Sequence, residues 1–444
     1  MKRIQLSDHF SYKMLLRFVA PSIVMMVFTS VYGVVDGLFV SNFVGKTAFA
    51  AVNLVMPFIM IFGGIGFMFG TGGSALVAKT LGEGDRPRAE RYFTMMIWAT
   101  LLCGVVISTL GMIYMAPIAR WLGADEAMLP DCVLYGRIVL GFNTAFMLQN
   151  VFQSFFIAAE KPKLGLAVTV AAGVTNMVLD ALFMAVLDWG VAGAAIATGI
   201  SQCVGGVLPL LYFLRPNSSL LRLRRTRLEL LPICKAAGNG ASELVSNVTS
   251  SLIGMVYNFQ LLRLAGQDGV AAYGVLMYVA FIFAAVFIGY AIGCAPIISY
   301  HYGAGHSGEV KNLLRKSLLL NGVGGCVITA AAQLLAVPLA RIFVGYDDAL
   351  CAMTVHGFRV FVLAFVLAGA NIYISSFFTA LNDGVVSAVI SFLRTFLFKL
   401  SAVLLLPLLW ELDGIWWAEV TAEVFACALG VVFLFAKRNK YHYM

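Results

Sequence analysis

The amino-acid sequence predicts an all-α polytopic membrane protein, with twelve transmembrane helices in two homologous six-helix bundles. Three observations predict it. The 444 residues are 61% hydrophobic and only 12% charged, with a mean hydropathy of +0.91, a balance that soluble domains do not reach. Twelve apolar runs are each long enough to cross a bilayer, which takes about 20 residues of α-helix. The second half of the chain also repeats the first at a nearly constant offset.

In chain order the runs cover 14–40, 47–72, 92–118, 132–158, 164–187 and 190–214, then 232–262, 269–300, 315–342, 351–380, 384–409 and 413–436. The first is too long for the apolar core of a signal peptide and no small-residue cleavage site follows it, so an uncleaved first span is expected. A basic segment, LLRLRRTRLEL at 220–230, separates the two sets of six. The expected division is therefore a lobe over 1–215, a linker over 216–230 and a second lobe over 231–444. A solvated loop accounts for the linker; binding to anionic headgroups is the alternative.

Charge orients the runs. Of thirty Lys and Arg residues, twenty-two, from Lys2 and Arg3 to Lys440, fall on the side of the N-terminus, and four (Lys46, Arg120, Arg263 and Arg341) fall on the other. Arg137, Arg359, Arg394 and Lys399 lie within the runs. The positive-inside rule then puts both termini in the cytoplasm of a cell whose inner, or plasma, membrane holds the protein. The same distribution explains the net charge of +8 without nucleic acid.

The repeat rests on four matches. GKTAFAAVNLVM (45–56) aligns with GQDGVAAYGVLM (266–277), and LGEGD (81–85) with YGAGH (302–306), both at an offset of 221. SFFIA (154–158) aligns with SFFTA (376–380), and Arg137 with Arg359, both at 222. An even number of spans per half gives the halves the same orientation, a parallel-repeat design used by transporters with a midplane site between the halves.

Chemistry concentrates in a few side chains. Asp36 and Asp180 sit inside apolar runs, where an acid costs several kcal/mol and therefore usually serves an ion, a cavity or a partner. Tyr32 shares a helix face with Asp36, and Asn176 with Asp180, by their i, i+4 spacing. Such oxygen-only groups suit a hard cation such as Na⁺, and two carboxylates in a low dielectric equally suit a shared proton. Structural helix–helix hydrogen bonding is the bland alternative for Asn176 and Asp180. Glu243 lies among Asn239, Ser242, Ser246 and Asn247; a wet vestibule and a membrane interface both fit it. Glu419 and Glu423 share one helix face and could line a cavity or serve a second cation, but pairing with Arg394 or Lys399 is favoured, since a buried charge seeks a partner. Gly66 and Gly70 form a small-xxx-small pair for close helix approach. His301 and His306 read as loop residues without a nearby acid. Eight cysteines without a CxxC and five scattered histidines give no disulfide framework or metal spacing. GxSxG, HExxH and a nucleotide-binding P-loop are all missing, which argues against an enzyme and against ATP drive.

With VYGVVDGLFVSNFVG (31–45), GSALVAKTLGEGD (73–85), NMVLD (176–180) and WGVAGAAIAT (189–198) in view, the chain resembles the multidrug and toxic compound extrusion (MATE) family, in its bacterial branch, over essentially its whole length. The resemblance implies an antiporter that expels amphipathic, often cationic, small molecules in exchange for H⁺ or Na⁺. It implies no cofactor beyond that coupling ion, no enzymatic activity, and a monomer whose partners are drug-like molecules and the bilayer. By position it implies cation coupling through Asp36, Asp180, Asn176, Thr198, Tyr32, Gln153 and Thr29, with Na⁺, if that is the ion, at Asp36, Asp180 and Asn176. It implies bending of the first helix at Pro21, and a carboxylate of the seventh helix at Glu243. The repeat places Tyr257 opposite Asp36 and Ala402 opposite Asp180, so an ion site of this kind is confined to the first half. A lipid-linked precursor flippase is the alternative; it would need a cationic central cavity, whereas the mid-span charges of the first half are largely acidic.

Overall fold

In a lipid environment each backbone N–H and C=O must be satisfied within its own segment, so apolar runs of this length become helices. The computed structural model describes residues 4–44, 46–345 and 347–443. Lys2, Arg3 and the first glycine of the repeat, Gly45, lie outside them, as does the side chain of Lys46. The described elements are α1 (Tyr12–Phe43), α2 (Lys46–Gly82), α3 (Arg86–Trp121), α4 (Leu129–Ala158), α5 (Pro162–Asp180), α6 (Gly190–Leu214), α7 (Leu230–Gly303), α8 (Ser307–Val344), α9 (Asp348–Phe361), α10 (Phe365–Ala380), α11 (Gly384–Phe392), α12 (Lys399–Leu405) and α13 (Pro407–Tyr441). Six-residue π-helical stretches continue α5 (Ala181–Val186) and join α11 to α12 (Leu393–Phe398).

Eleven stretches of the described residues are long and apolar enough to span a membrane. One of these, α7, has 74 residues and would run to about 110 Å, over three times the apolar thickness of a bilayer. It turns at Gly266, whose φ of 63° and ψ of −151° belong to glycine. Its two arms are therefore two spans, and twelve crossings result.

The structure departs from the sequence reading in two places. The second run extends ten residues beyond 72, so all of GSALVAKTLG is helix rather than connecting loop. Ala75, Val77 and Ala78 are fully buried there, and their packing carries the helix past polar Lys79 to a stop at Gly84, where φ is 85°. The seventh and eighth runs, by contrast, part at Gly266, inside the gap the sequence reading left between 262 and 269. His301 belongs to α7 and is buried, not a loop residue, and Glu309 lies close to it.

The two halves meet at the end of the molecule that carries both termini. α2 crosses the second arm of α7 with almost no space between the backbones. A β-carbon added at Gly82 would stand 2.0 Å from the Tyr300 carbonyl oxygen, and one at Gly303 would stand 2.1 Å from that of Lys79. Gly82 corresponds to Gly303, and Lys79 to Tyr300, at the 221-residue offset, so the crossing contacts itself across the pseudo-two-fold axis. The N-terminal segment bridges the same seam. Leu6 N–H donates to Glu160 of the first half at 2.8 Å, while Glu309 of the second half accepts from Phe10 N–H at 3.0 Å and pairs with His9. Leu6 and Phe10 are fully buried beneath it. The linker is docked as well: Arg86 and Arg224 both pair with buried Glu90 of α3, and Leu221 is fully buried.

Candidate functional site

The first half gathers polar side chains at its centre from α1, α4, α5 and α6. α1 and α5 come together because residue 173 is glycine; a β-carbon there would stand 2.5 Å from the Phe28 ring and 2.8 Å from that of Tyr32. This approach sets the Tyr32–Asp36 face of α1 against the Asn176–Asp180 face of α5. Asp36 faces both Asp180 and Asn176. Asp180 is wholly buried at the last residue of α5, where the helix widens into its π-helical stretch.

These groups are unusually short of partners. Among the described residues, Asp36 Oδ1, both carboxylate oxygens of Asp180, and Oδ1 and Nδ2 of Asn176 are buried without a hydrogen bond. The amide oxygens of Asn143, Gln149, Gln153 and Gln202, on α4 and α6, are buried in the same condition. A buried unpaired polar atom costs about 1–3 kcal/mol, and a charged one more. Where Asp36, Asp180 and Asn176 meet, four orphaned oxygens stand against a single orphaned nitrogen, an oxygen-rich chamber. That chemistry fits a proton or a small hard cation and does not fit an anion.

The remaining expected residues are placed as follows. Tyr32 lies beside Gln149 and Asp36. Gln153 is one turn along α4 from Gln149. Thr198 is half-buried on α6, with its backbone carbonyl accepting from Ser201 Oγ at 2.9 Å. The Thr29 hydroxyl donates to the Met25 carbonyl at 2.9 Å, a bond within its own helix. α1 stays continuous through Pro21. Gly66 and Gly70 face α4: added β-carbons would stand 2.7 Å from the Met147 carbonyl oxygen and 3.1 Å from that of Asn150.

Glu243 is elsewhere. It lies on the first arm of α7, next to Leu244 and Asn247, which pack against Gly64 of α2. It is not among the side chains acting on Asp36 or Asp180. Glu419 and Glu423 stand in the second half with the two cations of the preceding span. Arg394 grips Glu423 with Nη2 at 2.7 Å and Nε at 2.9 Å, Asn371 Nδ2 donates to the same carboxylate at 2.6 Å, and Lys399 meets Glu419 at 2.5 Å. Their charges are spent on each other, so as cavity-lining or second-cation residues they are poor candidates. Tyr257, the repeat counterpart of Asp36, stacks on Tyr273 with ring centroids 4.8 Å apart.

The sequence reading missed Gln149, which lies beside Tyr32, and Tyr135, which lies near both acids. A signal existed for Gln149. Gln149 and Gln153 are four residues apart in an apolar run, which sets both amides on one helix face.

The family model described as MatE matches residues 21–182 and 244–404. Among curated proteins, the chain is similar to the multidrug export protein MepA of Staphylococcus saprophyticus subsp. saprophyticus, with 22% identity over 97% of this chain and 94% of that protein. It is similar to MepA of Staphylococcus aureus at 20% identity with the same coverage. Among solved structures it is similar to a MATE in complex with MaL6, with a TM-score of 0.94, 19% identity and all of both chains covered. An outward-facing conformation of a multidrug resistance MATE family transporter of the MOP superfamily gives a TM-score of 0.93 at 20% identity, covering 100% of this chain and 99% of that one. At such identities the structural likeness is one of fold. The family match is broader evidence, since it takes in well over half of the chain with one segment in each half, and the chain belongs to the MatE family.

Proposed function

We propose that this protein is a secondary multidrug exporter of the cell membrane, with both termini cytoplasmic, that expels amphipathic and often cationic small molecules in exchange for an inward H⁺ or Na⁺ bound at Asp36 and Asp180. Family membership and the multidrug-export relatives support the transport reading. The excess of basic residues on the side of the termini supports the orientation. One observation carries the coupling: half-buried Asp36 and wholly buried Asp180 face each other with three of their four carboxylate oxygens buried and unpartnered. A proton shared between them, or a Na⁺ held by them with Asn176, relieves the cost of two unpaired acids in a low dielectric. Tyr32, Gln149, Gln153, Thr198 and Thr29 supply or position further oxygens, and rearrangement of α1 about Pro21 follows neutralisation of Asp36. Arg394 and Lys399 are paired with Glu423 and Glu419 rather than open to a pyrophosphate, which disfavours the flippase alternative.

By linkage, an exchanged cation and drug must weaken each other's binding by the same factor. Titration of purified protein with a fluorescent cationic dye, at low and high Na⁺ and at acidic and neutral pH, tests this. One of the two ions is expected to weaken dye binding at least fivefold, and Asp180→Asn is expected to abolish that dependence. Dye affinity indifferent to both ions contradicts the proposal.

A further inference from the structure

At the terminal end of α6 the surface holds a cavity of about 570 Å³, whose wall changes character along its length. Leu208, Leu211 and Tyr212 line it on the bilayer side, and Arg215 and Ser218 line it where the chain leaves the membrane. Leu208 and Leu211 are nearly half exposed on the outer, lipid-facing surface. Ser218 Oγ accepts from Lys161 Nζ at 2.9 Å, which brings a second cation to the rim. From this gradient, cations at headgroup level above leucines at acyl level, we propose that the cavity is a binding site for one anionic phospholipid. Its phosphodiester would lie on Arg215 and Lys161, and an acyl chain along Leu208 and Leu211.

The site is built rather than incidental. The turn that forms its rim is held by Asn217, whose Nδ2 donates to the Tyr212 carbonyl at 3.2 Å and the Arg215 carbonyl at 3.1 Å. These bonds cover carbonyls at the C-terminus of α6 that would otherwise repel a phosphate. Asn217 Oδ1 accepts from Ser219 N–H and Oγ–H, and Arg86 Nη2 donates to the Ser219 carbonyl at 3.3 Å. Arg222 adds a third guanidinium by donating to the Asn217 carbonyl at 2.7 Å. Neither Arg215 nor Arg222 pairs with a carboxylate among the described residues, unlike Arg86 and Arg224, which share Glu90. Two guanidinium groups without counter-ions beside an apolar slot have charge complementarity with a lipid phosphate. The slot opens onto the acyl region of the bilayer, which selects a lipid over free phosphate. A lipid seated there would join the linker to the bilayer on the outside of the first half, away from the coupling chamber.

The test is native mass spectrometry of the full-length purified protein, titrated with dioleoylphosphatidylglycerol or dioleoylphosphatidylcholine, with inorganic phosphate as competitor. One phosphatidylglycerol is expected to bind about fivefold or more tightly than phosphatidylcholine, the scale of one basic side chain against an anionic lipid. Arg215→Gln is expected to remove that preference. Leu208→Trp, which fills the slot and keeps every charge, is expected to reduce binding of the lipid, and Arg227→Gln on the exposed linker is expected to change neither. Equal binding of the two lipids, wild-type behaviour of both Arg215→Gln and Leu208→Trp, or displacement of the lipid by millimolar inorganic phosphate would each overturn the proposal.

Discussion

Asp180 and Glu423 are both wholly buried acids in spans, and their surroundings assign them opposite parts. Glu423 accepts from Arg394 and Asn371, so its charge is matched. Asp180 has no hydrogen-bond partner for either oxygen among the described residues. The same chemical change should therefore have opposite effects on stability. Glu423→Gln leaves Arg394 as an uncompensated buried charge and should destabilise by about 3 kcal/mol or more. Asp180→Asn removes an unpaired buried carboxylate and should leave thermal unfolding unchanged or raise its midpoint. Thermal unfolding of the two variants in one detergent compares them directly, and a large loss on Asp180→Asn would contradict this reading. Asp383, in the turn before α11, behaves differently again. Burial pushes its carboxyl up, but the Tyr441 hydroxyl, Lys440 and the Val386 N–H outweigh that and hold it below the usual carboxylate range. Since its folded value is the lower one, its contribution is complete above the ordinary Asp range near pH 4 and is lost as pH falls through the depressed value. The protection of residues 439–443 against hydrogen exchange, taken relative to the intrinsic rate at each pH, should therefore fall only below about pH 4, and Asp383→Asn should make that protection independent of pH over the same window.

At the scale of elements, glycine decides where helices meet. The crossing of α2 over the second arm of α7 leaves no room for a methyl group at Gly82 or Gly303. Gly82→Ala or Gly303→Ala should each force the crossing apart at a cost of about 1–3 kcal/mol. Because both methyls open the same contact, the double variant should cost less than the sum of the two. Spin labels on the terminal ends of the two halves should report a widened distance in each variant, and wild-type distances would show that the crossing yields without opening the seam. Spans were legible in the sequence because the 3.6-residue period and apolar length are local properties. The ten further residues of α2 were not, since Lys79 and the small residues around it look like a loop until Ala75, Val77 and Ala78 find their neighbours in other helices. The break between the seventh and eighth spans was legible, since Gly266 supplies the left-handed turn in the short gap between two apolar runs.

Across the whole molecule, the two halves share a plan but divide the chemistry. Asp36 and Asp180 stood out in the sequence because a charge in an apolar run is conspicuous. Gln149 did not, since an uncharged amide is unremarkable until the fold sets it beside Tyr32 and Asp36. The ion pairs of the second half lay between these cases. Arg394, Lys399, Glu419 and Glu423 were visible as charges, while the choice of partner depends on how α13 packs beside the preceding span. What results is an asymmetric pair of bundles, one with an unsatisfied acidic chamber and one with a neutralised network, joined at their terminal ends by a glycine crossing, a docked linker and the N-terminal segment. The proposed coupling therefore runs through the first half alone. Efflux of a cationic dye from liposomes tests this most directly, with wild type, Asp36→Asn and Glu419→Gln compared under an imposed pH gradient and then an imposed Na⁺ gradient. The account predicts dye movement driven by one of the gradients, abolished by Asp36→Asn and retained by whatever Glu419→Gln protein is folded. Gradient-driven efflux that survives Asp36→Asn, or dye movement under neither gradient, would contradict it.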